Sequence, residues 1–174
     1  MVASAAAALD TIQEHIQPLE QQLDTVSQNL ERLEKAIDDV RTELTEIELK
    51  GLELNRAIRQ QRHELNELRH KVKKHGKLLA EIEPQSAPRE YRRISEERDH
   101  FEMQIVQAVR RLEELREQYD DLVDKETTLF GREWELEQEY RELKERYDIL
   151  LRQISRLAQA LERKVRDIRA KYYG

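Results

Sequence analysis

His63, Glu67 and His70 stand four and three residues apart. On a helix that spacing puts two imidazoles and a carboxylate on one face, which is a zinc-type donor set. No fourth ligand is fixed nearby and the surroundings are polar, so the better reading is a solvated helix face. The chain has no cysteine, which removes thiolate metal centres and disulfide frameworks. Gly51, Gly76, Gly131 and Gly174 are isolated, so no glycine-rich loop can cradle a phosphate. No Ser/His/Asp arrangement can be argued. Paired carboxylates abound, but on helix faces they are solvated. The expectation is a non-enzymatic protein with no catalytic residues, no cofactor-binding residues, no cofactor and no metal ligands.

Charge offers more. Residues 56–98 hold twelve Lys/Arg against seven Glu, while the whole chain carries a formal charge of -6. The densest part is RHKVKKHGK, residues 69–77, with Arg69, Lys71, Lys73, Lys74 and Lys77. Such a cluster suits an acidic protein surface or a phosphate backbone. Nucleic acid is the weaker choice, because no aromatic residues are interleaved and no binding motif is present.

The elements that must position these residues follow from periodicity. Charged residues make up 39% and aromatics 5%, with mean hydropathy -0.91, a composition shared by disordered chains and long coiled coils. Stepping by four and three from Ile12 through Leu44, Ile47 and Leu65 to Ile82 meets an apolar residue everywhere except Gly51, Gln61 and His75. A second stripe runs from Tyr91 through Ile105, Leu122 and Tyr147 to Leu161, interrupted by Arg98, Glu126 and Glu133. It continues after a shifted step to Val165, Ile168 and Tyr172. A 3.5-residue repeat held this long specifies a left-handed coiled coil.

Between the stripes lies EIEPQSAPREY, residues 81–91. Pro84 disfavours helix at Glu83, and Pro88 fits the first turn of a new helix, where its missing N–H costs nothing. Glu90 in that turn suits the positive end of the helix dipole. The expected fold is all-α: a lead-in at 1–9, helix one at about 10–83, a turn at 84–87 and helix two at 88–173. So short a break favours an antiparallel hairpin. The alternative is a kinked continuous rod lying parallel to a second copy. Folding back at the break pairs residues whose numbers sum to about 173, so Gly51 meets Leu122 and His75 meets Arg98. Residues 10–48 carry eleven acids and three bases, and 152–174 seven bases and two acids. The fold brings part of one beside the other. The opening MVASAAAALD lacks a basic n-region and reads as a helix lead-in or cloning remnant, not a signal peptide. No apolar run approaches the ~20 residues of a membrane span.

The hairpin brings Arg89, Arg92 and Arg93 to the basic cluster, making one basic tip. It also sets Leu49 and Leu52 beside Val123, with Phe130 and Trp134 one to two turns further along. These five form a second apolar strip, expected to dimerise the hairpin into a four-helix bundle. Gly51 and Gly131 interrupt good helix formers nearby, through close helix approach, a hinge or chance. His75 and Arg98 would put two basic groups in one layer and help set the register.

Lys77 to Ile105, with Arg89, Glu90 and Tyr91 just after the turn, resembles the turn region of the bacterial coiled-coil zinc-ribbon proteins. The resemblance implies a long helical hairpin with a Lys/Arg-Glu-Tyr signature. That family ends in a four-cysteine ribbon, which this cysteine-free chain lacks, so no functional residues carry over. Ciliary and other cytoskeletal coiled-coil proteins are similar in texture. The expected function is a structural or adaptor protein, cytoplasmic or cytoskeleton-associated, that assembles protein partners and a second copy of itself. The alternatives are polyanion binding through the tip and a coiled-coil piece of a larger machine, the latter compatible with a stripe still running at KYYG.

Overall fold

The computed structural model describes residues 2–174, with side chains from Ala3 onward. Two helices, α1 (Val2–Glu81) and α2 (Pro88–Tyr173), pack antiparallel as a helical hairpin. The chain does not take the kinked-rod alternative. Residues 2–9, expected as a lead-in, are the first turns of α1, and Met1 lies outside the described residues.

The turn forms as the prolines require, with one shift. Helix α1 ends at Glu81, two residues before the expected boundary. The Glu83 carbonyl accepts the N–H of Ser86 at 3.0 Å and of Ala87 at 3.2 Å, so Glu83 belongs to the turn. The Ser86 hydroxyl donates to Glu83 Oε2 at 3.1 Å. Ala87 then accepts the Tyr91 N–H at 3.0 Å, and Pro88 opens α2 with Glu90 in its first turn. Pro18 sits inside α1, exposed to solvent. Its ring nitrogen leaves the Glu14 carbonyl without a helical donor.

Contacts divide the hairpin into two units, each an antiparallel helix pair: Thr42 and the residues before it with Phe130–Gly174, and Glu43–Leu129. In the first, Val26, Leu30 and Leu150 are buried, flanked by Leu19, Leu23, Tyr140, Leu143 and Tyr147. In the second, Ile58, Leu65, Ala108 and Leu112 are buried, flanked by Leu68, Ile105, Leu115 and Tyr119. Every heptad position from Ile12 to Ile82 and from Tyr91 to Leu161 is buried or half-buried. The stripe stays half-covered at Val165 and Ile168, while Tyr172 is exposed.

The register follows the expected rule within each unit. In the second, a Cβ built on Gly51 would lie 3.7 Å from Leu122 Cδ2, a pair summing to 173. In the first, Tyr140 donates to Glu34 Oε1 at 2.9 Å, a pair summing to 174. The expected charge match between 10–48 and 152–174 supplies no direct cross-helix ion pair among the described residues. The cross-helix pairs of the first unit instead converge on Arg41, whose Nε reaches Glu133 at 2.8 Å and Nη2 reaches Glu137 at 2.9 Å.

Candidate partner-binding surfaces

The basic end belongs to the second unit. Arg69, Lys71, Lys73, Lys74 and Lys77 on α1, and Arg89, Arg92 and Arg93 on α2, are all exposed. Among the described residues none of the eight forms an ion pair. Three of the nearby acids are engaged elsewhere: Glu67 with His63 at 3.1 Å, Glu97 with His75 at 3.0 Å and Glu83 with Ser86. Lys71 Nζ lies 5.4 Å from the Phe101 ring centroid, a cation–π contact that leaves its charge at the surface.

His75 and Arg98 do not confront each other as two bare cations. His75 Nδ1 is 2.9 Å from the Lys71 carbonyl and Nε2 is 3.0 Å from Glu97 Oε2. Both partners are acceptors, so both bonds form together when the ring holds two protons. The ring also meets Phe101 edge-on, with centroids 5.2 Å apart. Arg98 turns toward Asp99 at 3.7 Å and Glu102 at 4.0 Å, and its buried Nε has no hydrogen-bond partner. Neighbouring carboxylates thus accompany both basic groups in this layer.

The candidate metal face is exposed. His63 Nε2 bonds Glu67 at 3.1 Å. Among the described residues no three ligating side chains are arranged to hold a metal ion.

The apolar side chains set off the main stripes are exposed in both units. In the second, Leu52 and Val123 line one open groove with Gly51, Asn55 and Leu122, and Leu49 is exposed one turn earlier on α1. In the first, Phe130 and Trp134 stand one turn apart on α2, with Trp134 63% exposed. Met103 and Val106, not singled out from the sequence, are as open, at 65% and 62%.

Sequence reasoning also missed the Arg41 clamp. Its signal was available: Glu133 interrupts the stripe, and the pairing rule puts it beside residue 40. Glu133 is 18% exposed and is bonded to Arg41. Hydrogen bonds to Glu133 and Glu137 raise the Arg41 pKa above its ordinary value.

These surfaces define a helical hairpin with a cationic turn end and uncovered apolar side chains. No helix among the described residues is long and apolar enough to cross a membrane. Comparison with protein-family models, curated proteins and solved structures finds no match.

Proposed function

We propose that this chain is a non-enzymatic scaffold that holds an acidic protein partner at its turn end and associates with a second copy of itself. The observation that carries the reading is the set of eight exposed cations with no ion-pair partner at one end of the second unit. Unpaired surface cations keep their full field, which raises encounter rates and selects partners of opposite sign. The helix pair supplies a fixed spacing between Arg and Lys side chains on α1 and those on α2. The exposed Leu49, Leu52, Val123, Phe130 and Trp134 offer apolar area to the second copy.

The test is fluorescence anisotropy with a labelled poly-glutamate peptide, and with a single-stranded oligonucleotide as comparator. Lys71→Gln, Lys73→Gln, Lys74→Gln and Arg92→Gln together should weaken peptide binding about tenfold or more. An unchanged peptide affinity would sink the proposal. Preference for the oligonucleotide over the peptide would replace it with polyanion binding.

A further inference from the structure

The structure points to a specific surface for self-association: we infer that a basic flank of α1 in the second unit of one copy docks antiparallel on an acidic flank of α1 in the first unit of another. This rests on the homo-oligomer part of the proposed function and goes further, naming the surfaces and their register.

The basic flank is found from the groove in the second unit. Glu48, Leu52 and Asn55 line its α1 side, facing Val123 and Glu126 on α2. In a heptad helix, residues seven apart keep the same position around the core. From Leu52 the sequence steps to Arg59, Asn66 and Lys73, and from Asn55 to Arg62 and Arg69. Arg59, Arg62, Asn66, Arg69 and Lys73 are exposed, and Asn55 is half-buried. From Asn55 to Lys73 these positions hold four cations and two neutral polar residues and no acid, Glu48 lying one step of seven before Asn55. The opposite flank differs: Glu64, Glu67, Lys71, Gln104, Gln107 and Arg111 line it, with both signs present.

The acidic flank is found in the same way in the first unit. Glu34 and Asp38 line the α1 side of a groove with Arg41, Glu137 and Arg141. Steps of seven from Asp38 reach Glu31 and Asp24, and from Glu34 reach Ser27 and Glu20. Arg41, at the end of this series, is bound to Glu133 and Glu137. Glu20, Asp24, Glu31 and Asp38 are exposed and make no ion pair among the described residues.

The two flanks match residue by residue. Laid antiparallel so that paired numbers sum to 93, Arg59 meets Glu34, Arg62 meets Glu31, Arg69 meets Asp24 and Lys73 meets Glu20. The intervening pairs are Asn55 with Asp38 and Asn66 with Ser27. Every charged pair is opposite in sign, and no like-charge pair occurs in these six layers. A single exposed ion pair contributes little, but a register with four and no repulsion selects one alignment over its neighbours. Glu34 already accepts from Tyr140 through Oε1, and its second oxygen is available for the incoming arginine.

The test is sedimentation equilibrium of the full chain at about 50 mM and about 300 mM salt, a range over which screening strengthens markedly. Two triple variants are compared: Arg62→Glu, Arg69→Glu, Lys73→Glu, and Glu20→Lys, Asp24→Lys, Glu31→Lys. Circular dichroism checks that each keeps its helix content. Each triple variant should weaken self-association about tenfold or more, as should the higher salt. The sixfold variant carrying both sets should recover association. Oligomerisation that ignores both salt and the triple variants overturns the register while sparing the homo-oligomer reading. A monomer under every condition overturns both.

Discussion

Replacing Gly51, Gly76 and Gly131 by alanine tests whether these glycines are required by the helix pair. None of them has a positive φ, and all three lie inside the helices. A Cβ on Gly51 would meet Leu122 Cδ2 at 3.7 Å, an ordinary van der Waals contact, and nothing lies within 4 Å of one on Gly76 or Gly131. The backbone therefore accepts alanine at each position without displacement. Glycine inside a helix costs about 1 kcal/mol relative to alanine, through the extra freedom it has when unfolded. At Gly51 the new methyl also covers part of Leu122, adding at most ~0.8 kcal/mol. The sites are far apart in sequence and share no neighbour, so their effects should add to about 3 kcal/mol. Urea unfolding followed by far-ultraviolet circular dichroism measures this, with each single variant beside the triple. A rise in midpoint for all three is expected, largest for Gly51→Ala. A fall at Gly51 with a rise at Gly131 would mean that the helices need closer approach at residue 51 than this packing has, and would contradict this prediction.

The Arg41 clamp makes a second prediction. Arg41→Ala leaves Glu133 on the core stripe without its cation and should lower the urea midpoint. Adding Glu133→Leu should restore or exceed the original stability, since an apolar side chain then fills that position of the stripe; a double variant weaker than Arg41→Ala alone would contradict this. Tyr140 links stability to alkaline pH. Its hydrogen bond to Glu34, with burial second, raises the phenol pKa above the ordinary 10.0. The bond's contribution is thus fully present below pH 10 and fades as pH rises through the higher folded-state value. Tyr140→Phe should abolish this part of the pH dependence, as followed by tyrosine absorbance and unfolding midpoint; an identical alkaline profile in the variant would argue against the linkage.

Most of the fold was written in the chain before any packing was considered. A stripe repeating every 3.5 residues leaves a helix one way to bury its apolar side chains, against another such stripe. Pro84 and Pro88 then dictate where the chain reverses. Register followed because a short turn fixes which residues face each other, as Gly51 and Leu122 do. The cationic turn end was equally legible, since all of it lies close to that reversal in sequence.

What the sequence could not decide was how individual charges are spent. Composition counts Arg41, Arg59 and Lys71 alike. In the folded pair, Arg41 is held by Glu133 and Glu137, Lys71 lies over Phe101, and Arg59 points to solvent unpaired. Side chains of four or more bonds can reach several partners, and the choice among them depends on geometry across two helices. The pairing of His75 with Glu97 and the shift of the helix end to Glu81 are of the same kind. Periodicity determines which face of each helix is covered, because burial acts on every seventh residue alike. Tertiary structure decides which ions neutralise one another and which remain for a partner, because that depends on single distances of a few ångströms.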